Sequence, residues 1–541
     1  MDSPHEAVIE ALAARGFRYA GRAADSWMSF YGELRTTEGD HGCEVWVDPD
    51  FFALPRVRLC VVPESLRPIA PHIVGNGGLC YLAAGMVVLD FFDPVGQTLR
   101  CLEEAERVLG QVLRKELVAD LTEEFFIHWY AGECIFDVQT PKLGEVPGFC
   151  LLGREGSRIP VIADDLEITS MKLDLMGFEA KRQRIPAYIV QTDVEPRPSQ
   201  ENWPPKTVAD FLSWQRQLDK SCAKKVEQRI SEASRKTGKD ALIIIKSPRL
   251  RYGIQIHFDR SALPTEKLAN VRGTQRLYSY EITRIHAMRL DAAYLAQRNI
   301  PGMQTLAGKK IAVIGCGTIG GYLIDALAKA GAGTGGGLLT LVDYDTLGSQ
   351  NLGRHRLGMQ ALFMNKAEAM RITLRVENPS VSARSLEVDA RDAHLGPIDL
   401  LIDATGEESL GHWLSRRYAD ALPMLSVWIE GPGVAVRALM KKPGPGGCYR
   451  CLSEHQRAGC LPTVEGGVPH LLAGHGCEGL YVPFPATVSL QAAALGAEMV
   501  LAWANNTEMP ALRTRITDSA YDLATPDCDV VTAKGCPICS T

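Results

Sequence analysis

The chain has 541 residues, of which 46% are hydrophobic and 23% are charged, and its formal net charge is -6. A single hydrophobic core seldom serves a chain of this length, so we expect two or three domains. The mild acidity excludes the broad basic surface that binds nucleic acid or an anionic membrane. No basic leader followed by an apolar run of membrane-spanning length is recognisable, which predicts a cytoplasmic protein. The 15 cysteines are therefore expected to be free thiols, metal ligands or nucleophiles rather than disulfides.

The first region, residues 1–140, has the pattern of a small α+β domain. Apolar runs at 57–62 and 86–92 predict short strands. From Asp93 onward, apolar residues recur at three- and four-residue steps, which predicts an amphipathic helix.

The second region, residues 141–300, contains secondary structure but no motif that indicates a function. Its proline-rich stretch at 194–206 predicts a loop, and residues 207–234 predict helix. The runs at 241–246 and 252–259 predict two strands. We expect a middle or linker domain.

The third region, residues 301–541, opens with a buried strand, a glycine turn and a helix. Gly315, Gly317 and Gly320 form the pattern GxGxxG, in which missing side chains let backbone N–H groups approach a phosphate. Acid-terminated strands recur at LLTLVDYD and IDLLIDAT, so a doubly wound, Rossmann-like parallel sheet is predicted. The glycines alone fit a nicotinamide dehydrogenase as well as an ATP enzyme.

Charged residues that follow the glycine turn favour ATP chemistry. Building an acyl phosphate requires neutralisation of phosphate charge, and a short stretch here supplies arginines and a lysine. The order and spacing of five residues resemble the ubiquitin-activating and ThiF/MoeB adenylation family: Asp343, Asn351, Arg354, Lys366 and Asp403. The resemblance implies that Asp343 binds the ribose, that Asn351, Arg354 and Lys366 surround the triphosphate, and that Asp403 holds Mg²⁺.

Other arginines near this cluster have no settled role. Arg356 stands where relatives often have glutamine. The family's arginine that crosses a homodimer interface has candidates in Arg289 and Arg298, although their spacing from Gly315 matches poorly. A homodimer through the adenylation domain is implied by the resemblance alone.

Two CxxC pairs predict a zinc site. Cys448 and Cys451 form the first pair, and Cys536 and Cys539 form the second. Four thiolates at this spacing can surround Zn²⁺ tetrahedrally. A redox role is the alternative, but no thioredoxin-like pattern surrounds either pair. The site is expected to be structural.

Two further cysteines are candidate nucleophiles. Cys477 lies in a loop rich in glycine and histidine that leads into a helix, where a thiol can be exposed and activated. In the adenylation family, the cysteine that receives the activated carboxyl group lies just before such a helix, and Cys477 matches that place better than Cys460. Burial as an inert core residue is the alternative.

The second candidate, Cys80, follows a Gly-Gly turn, with Pro71 and His72 upstream of it. This order resembles ubiquitin-conjugating domains, which carry His-Pro-Asn before their cysteine. His72 replaces the asparagine that stabilises the oxyanion, and its imidazole N–H can donate the same hydrogen bond. The alternative is that Cys80 is only an inward residue of a strand.

A conjugating-like domain ahead of an adenylation domain resembles the fused activating and conjugating proteins of bacterial type II CBASS antiphage operons. That resemblance implies ATP, Mg²⁺ and Zn²⁺ as cofactors. It also implies conjugation of the carboxyl terminus of a cGAS-like nucleotidyltransferase through Cys477 and then Cys80, with a JAB-type protease as a further partner. The alternative is a ThiF/MoeB-like enzyme that adenylates a sulfur carrier and has a degenerate amino-terminal domain.

Overall fold

The computed structural model describes residues 3–83, 85, 87–139, 143–152, 158–178, 181–199, 203–236, 240–258, 273–474 and 481–539. The chain forms two compact units. The first contains residues 1–136, 140–164 and 180–288, and the second contains residues 137–139, 165–179 and 289–541. Both units combine α-helices with β-sheets, as the composition and patterning predict.

The first unit begins with a five-stranded antiparallel sheet in the order β1-β2-β3-β4-β5. Its elements are α1 (Pro4–Ala14), β1 (Arg18–Arg22), β2 (Met28–Thr36), β3 (Gly39–Val47), β4 (Arg56–Leu59), β5 (Gly78–Leu79) and α2 (Pro94–Leu113). The predicted helix after Asp93 is confirmed, because the Asp93 carboxylate accepts the Gly96 N–H at 2.8 Å and caps α2. Leu102 and Leu109 of α2 are fully buried against this sheet's core.

The strand predicted at 86–92 is wrong. Residues 87–92 form no strand, and the side chains of Val88 and Phe92 are 97% and 84% exposed. The apolar side chains of Val88 and Phe92 are therefore not part of the hydrophobic core. Cys60, which follows β4, is likewise exposed.

The rest of the first unit surrounds a nine-stranded sheet in the order β10-β8-β9-β6-β14-β13-β12-β11-β7. Its elements are α3 (Phe125–Trp129), β6 (Gly132–Asp137), β7 (Gly144–Val146), β8 (Gly148–Leu152), β9 (Arg158–Ala163), β10 (Lys181–Arg184), β11 (Ala187–Gln191), α5 (Val208–Leu218), α6 (Lys220–Ser234), β12 (Asp240–Lys246), β13 (Arg251–His257), α7 (Gly273–Tyr278) and β14 (Ile282–Arg289), with α4 (Leu166–Leu175) belonging to the second unit. The helix predicted at 207–234 is two helices, because Asp219 caps α6 with its carboxylate.

An aromatic cluster fixes α3 to this sheet. The rings of Phe125 and Trp129 are fully buried, and their centroids lie 6.1 and 5.1 Å from that of Trp214. Tyr252 of β13 meets both rings edge-on. Because aromatic burial contributes strongly to stability, α3 has a firmly held position.

The second unit has the predicted doubly wound architecture, with a seven-stranded sheet in the order β17-β16-β15-β18-β19-β20-β21. Its elements are α8 (Ala292–Gln297), β15 (Lys310–Ile314), α9 (Thr318–Lys329), β16 (Leu338–Val342), α10 (Lys366–Glu377), β17 (Ala383–Leu386), β18 (Leu400–Asp403), α11 (Glu408–Tyr418), β19 (Met424–Glu430), β20 (Ala435–Lys441), α12 (Tyr449–Arg457), α13 (Ala486–Ala504) and β21 (Leu512–Ile516). The strands β17, β16, β15, β18 and β19 run parallel.

The register of the parallel strands positions the site. Ile314 of β15 pairs with Val342 of β16 on one side and with Asp403 of β18 on the other. The carboxyl ends of these strands therefore meet at one edge of the sheet, where ligands bind in open α/β folds.

The helix α13 is long and apolar enough to cross a membrane by length and composition, and half of its most apolar window is buried. Leu495 and Met499 have no exposed surface, and Gly496 lies against Leu323 of α9. It is therefore a core helix of the doubly wound sheet.

Candidate active sites

The glycine turn between β15 and α9 forms one wall of a cavity of about 740 Å³. Gly315 has φ +87°, and a Cβ at Gly320 would lie 1.8 Å from the Gly315 carbonyl oxygen, so both positions require glycine. Gly317 is the N-cap of α9, whose first residues line the cavity. A helix N-terminus with unsatisfied N–H groups is suited to bind phosphate.

Asp343 lies in the cavity wall at the end of β16. Its carboxylate accepts the N–H of Cys316 at 2.8 Å and that of Asp345 at 2.9 Å. These bonds hold the glycine turn against the strand end. Burial raises the pKa of Asp343. A half-buried carboxylate held in this way suits recognition of neutral hydroxyl groups such as those of a ribose.

Lys366, the first residue of α10, also lines the cavity and forms an ion pair with Asp345. Sequence reasoning missed Asp345, and it missed Arg391 and Trp413, which complete the lining from the segment after β17 and from α11. Arg391 follows its strand as Asp343 follows β16, and that parallel was the available signal. Together these side chains give the cavity fixed charges of both signs and an aromatic surface.

Arg354 and Asn351 lie behind this wall rather than in it. Arg354 donates to the Val482 carbonyl at 3.1 Å and stacks over the Phe484 ring at 4.3 Å, and both of those residues line the cavity. The Arg354 Nε is buried without a hydrogen-bond partner among the described residues. Asn351 accepts the Gly348 N–H at 3.0 Å. Arg354 therefore joins the segment around Val482 to the cavity.

Two of the other arginines, Arg356 and Arg289, have carboxylate partners within the chain. Arg356 pairs with both Glu377 oxygens at 2.6 and 2.7 Å. Arg289 forms two hydrogen bonds with Asp291, each 2.7 Å long.

Asp403 is buried directly beneath the cavity wall, which Ala404 and Thr405 form. Its Oδ1 accepts the Thr405 N–H at 3.1 Å and the Thr405 hydroxyl at 2.7 Å. Burial raises the pKa of Asp403 to about 6. No described lysine, arginine or histidine lies within ion-pair distance of it. An ionised carboxylate at this depth requires a countercharge, and a divalent cation is suited to supply it.

The predicted thioester position, Cys477, lies outside the described residues, within 475–480. The flanking residues Ala473 and Tyr481 are joined by two backbone hydrogen bonds of 2.9 and 3.0 Å. Upstream, the fully buried Arg437 donates to Thr463 at 3.0 Å and to the Leu461 carbonyl at 3.3 Å. The loop between α12 and α13 is thus held at both ends by arginines, the other being Arg354.

The four CxxC thiols converge. The sulfur atoms of Cys448 and Cys451, of Cys448 and Cys536, and of Cys451 and Cys539 are each 3.9 Å apart. Tetrahedral Zn²⁺ with Zn–S bonds of about 2.3 Å places sulfurs roughly 3.8 Å apart. The distance is far too long for a disulfide and fits a shared metal ion. Cys460 and Cys528 are not members of this cluster.

In the first unit, Cys80 is exposed and is tied to His72. The Cys80 N–H donates to the His72 carbonyl at 2.8 Å, and His72 Nδ1 lies 3.0 Å from the Cys80 carbonyl oxygen. Burial of part of its surface raises the pKa of the Cys80 thiol, and the Glu124 carboxylate raises it further.

His72 has an unusual backbone for a residue other than glycine, with φ +60°. Glu124 stabilises it by accepting its N–H at 2.8 Å, and the second Glu124 oxygen lies 3.1 Å from His72 Nδ1. Asp120 lies 3.0 Å from Nε2. The sequence predicted that the His72 imidazole donates to an oxyanion. In the structure, the carboxylates of Glu124 and Asp120 lie within hydrogen-bond distance of its two ring nitrogens. His72 therefore stabilises the conformation of the loop that contains Cys80.

Comparisons with known proteins identify two families along the chain. The model of the ThiF family matches residues 292–533, and the model of prokaryotic E2 family B matches residues 17–134. The second match covers Cys80 and its neighbours, which disfavours a degenerate amino-terminal domain.

Three relatives illustrate the range of similarity. The ATP-dependent ubiquitin transferase-like protein Cap2 of Pseudomonas aeruginosa (strain BWHPSA011 / Pa011) is 50% identical over 538 residues, covering 99% of this chain and 98% of the relative. The protein of the same name from Escherichia coli (strain TW11681) is 25% identical, covering 87% of this chain and 86% of the relative. The molybdopterin-synthase adenylyltransferase of Escherichia coli (strain K12) is 30% identical, covering 32% of this chain and 70% of the relative.

Proposed function

This chain belongs to the Cap2 family of ATP-dependent ubiquitin transferase-like proteins, and from that premise we propose how its sites divide the work. ATP-dependent activation and conjugation are the activity of the chain. The observation that supports the division is the presence of a phosphate-binding glycine turn in one unit and of an exposed, carboxylate-framed Cys80 in the other.

Activation takes place at the cavity beside the glycine turn. A carboxylate oxygen of the activated protein attacks the α-phosphorus of ATP, pyrophosphate leaves, and an acyl adenylate remains. The α9 N-terminus and Lys366 bind the phosphates, and Asp343 binds the ribose. Arg354 holds the Val482 segment of the cavity wall in position. Asp403 would hold Mg²⁺, which neutralises charge on the leaving pyrophosphate. Asn351 orders the backbone before Arg354.

Transfer then passes through two thiols. Cys477 attacks the acyl carbon of the adenylate, and AMP leaves. Cys80 then takes the acyl group from Cys477 by thioester exchange. Finally an amine of the target attacks the thioester carbon, and the Cys80 thiol is released. Each exchange between similar thiols is nearly isoenergetic, so the sequence depends on positioning. Glu124 and Asp120 supply that positioning at Cys80 through His72.

The partners follow from the family resemblance. The activated protein is a cGAS-like nucleotidyltransferase, its conjugation serves CBASS antiphage defence in the cytoplasm, and a JAB-type protease removes the conjugates. The adenylation unit acts as a homodimer. The apolar and uncharged lining contributed by Gly431, Val482 and Phe484 supports a slender, extended carboxyl terminus as the substrate at the cavity.

The four converging thiols hold one structural Zn²⁺. Metal analysis of protein purified without chelator should find about one zinc per chain, since one four-cysteine site binds one ion. Cys536→Ser should lose the metal and lower the thermal midpoint of the adenylation unit, because metal binding contributes directly to folding. Cys528→Ser, outside the cluster, is the matched control. Zinc-free wild-type protein would contradict the site.

Asp403→Asn should reduce ATP–pyrophosphate exchange by about a hundredfold or more, because the amide keeps the contacts with Thr405 but cannot neutralise Mg²⁺. Exchange measured with the activated protein present reports the adenylation step alone. The control is Asp420→Asn at an exposed position. Wild-type exchange by Asp403→Asn would remove this residue from the metal site.

The order of the two thiols can be read from paired variants. Cys477→Ala should form the adenylate but no reducible adduct, because no thiol then lies against the acyl phosphate. Cys80→Ala should accumulate a reducible adduct on Cys477 and form no final conjugate. Non-reducing gels with the activated protein distinguish these species.

The exposed Cys460 provides the control for that series, since Cys460→Ala should behave as wild type. Full conjugation by Cys80→Ala would refute the conjugating role of Cys80. A reducible adduct on Cys477→Ala would show that another thiol is loaded first.

A further inference from the structure

A second cavity, of about 490 Å³, lies within the first unit beside the Cys80 loop. One wall consists of residues 66–70 and 73–75 of the conjugating-like part, and the other includes Ile127, His128, Trp203 and Pro204. A concave site of this volume takes a ligand of the bulk of a short peptide.

Two buried nitrogen atoms in the wall of this cavity have no hydrogen-bond partner among the described residues. They are Nε2 of His128 and Nε1 of Trp203. The His128 side chain is only 10% exposed, and its Nε2 is 3.8 Å from the nearest Glu124 oxygen, beyond hydrogen-bond length. Unpaired buried polar groups are costly, so a wall with two of them is suited to a ligand that pairs with both.

The position of the cavity links it to Cys80. Ala70 and Ile73 line it on either side of His72, whose carbonyl accepts the Cys80 N–H. Glu124 lies between His72 and His128, with oxygens 3.1 and 3.8 Å from their rings. The cavity wall and Cys80 are thus joined through the backbone of His72.

The lining decides which substrate the cavity takes. Trp203 Nε1–H is a donor only, His128 donates in the tautomer protonated at Nε2, and Arg67 adds a positive charge. Among the described residues that line the cavity, none is an aspartate or a glutamate. A lysine amine of the target would need acceptors and would be repelled by Arg67, whereas backbone carbonyl oxygens match the donors.

We propose that this cavity is the subsite for the extended carboxyl-terminal segment of the protein carried on Cys80, whose backbone carbonyl oxygens accept hydrogen bonds from Trp203 and His128. The inference rests on the proposed role of Cys80. It also gives the middle region a function: Trp203 and Pro204 of this region form part of the wall of the acyl-binding cavity.

The test compares Trp203→Phe with Trp214→Phe in the full-length chain. Trp203→Phe removes an unpaired N–H together with part of the indole ring and keeps an aromatic ring beside Trp129. Trp214→Phe makes the same change in ring size but removes an N–H bonded to the Arg197 carbonyl at 3.0 Å. Each variant is first loaded with the proposed nucleotidyltransferase as a thioester on Cys477. Non-reducing gels then follow the transfer of this adduct to Cys80 and its release when free lysine is added.

Trp203→Phe should slow transfer onto Cys80 about threefold to tenfold, the value of one hydrogen bond, with unchanged loading of Cys477 and an undiminished thermal midpoint. Trp214→Phe should lower the thermal midpoint and leave the transfer rate of the folded protein unchanged. Arg67→Gln, at the rim, should slow the same step as Trp203→Phe and provides an independent variant.

Three outcomes would overturn the subsite. If the wild type, Trp203→Phe and Arg67→Gln transferred the acyl group at equal rates, water rather than the acyl chain would be the hydrogen-bond partner of the nitrogen atoms in the cavity wall. If both variants loaded Cys80 at the wild-type rate but had a raised KM for free lysine, the cavity would bind the amine that accepts the acyl group rather than the acyl chain. Failure of the wild type to load Cys80 at all would overturn the role of Cys80 together with the subsite, and only that result affects both.

Discussion

The adenylation unit depends on one steric constraint, the close approach of α9 to the turn that precedes it. A Cβ at Gly320 would lie 1.8 Å from the Gly315 carbonyl oxygen, so any side chain there forces the helix away from the sheet. With glycine, the N-terminus of α9 opens onto the cavity, and the Cys316 N–H reaches the Asp343 carboxylate. The phosphate-binding end of the helix and the acid at the end of β16 are thus positioned by the same contact.

The two proposed thiol positions are held by different means. The loop that contains Cys477 is fixed on both sides by arginines, with Arg437 bonded to Thr463 upstream and Arg354 to the Val482 carbonyl downstream. Cys80 is framed instead by the left-handed backbone of His72, which Glu124 stabilises. Arg354 therefore contacts Val482 and Phe484, two residues that line the cavity beside the glycine turn and follow the segment that contains Cys477.

The α3 segment and the residue before it link the nine-stranded sheet to the loop that contains Cys80. Phe125 and Trp129 are buried in the aromatic core of the nine-stranded sheet, while Glu124, immediately before them, faces His72. A residue that shapes the Cys80 loop therefore takes its position from packing in the following part of the chain. This arrangement accounts for a large region that contains no catalytic motif of its own.

Local patterns predicted much of the site. The glycine turn, Asp343 and the paired cysteines depend on short spacings, and the structure brings each set together as expected. Contacts between distant segments could not be predicted in the same way: Glu124 reaches His72 across 52 residues of sequence. Trp203 lines a cavity together with residues 66–70 and 73–75, and no periodicity in the sequence predicts that these segments lie side by side.

Hydrophobic pattern alone also failed in one identifiable way. The apolar run that ends at Phe92 has the pattern of a strand, yet Val88 and Phe92 are exposed. The preceding strand β5 is only two residues long, so it offers few backbone groups with which this run could pair. Apolar residues beside a functional cysteine cannot be assumed to belong to the core.

The central claim is that a carboxyl terminus is activated by adenylation on this chain. The most direct measurement uses activated protein whose terminal carboxylate oxygens are both ¹⁸O, with mass analysis of the nucleotide products. Attack on the α-phosphorus predicts AMP that contains one ¹⁸O and pyrophosphate that contains none. Label in inorganic phosphate, with ADP as the nucleotide product, would contradict the account.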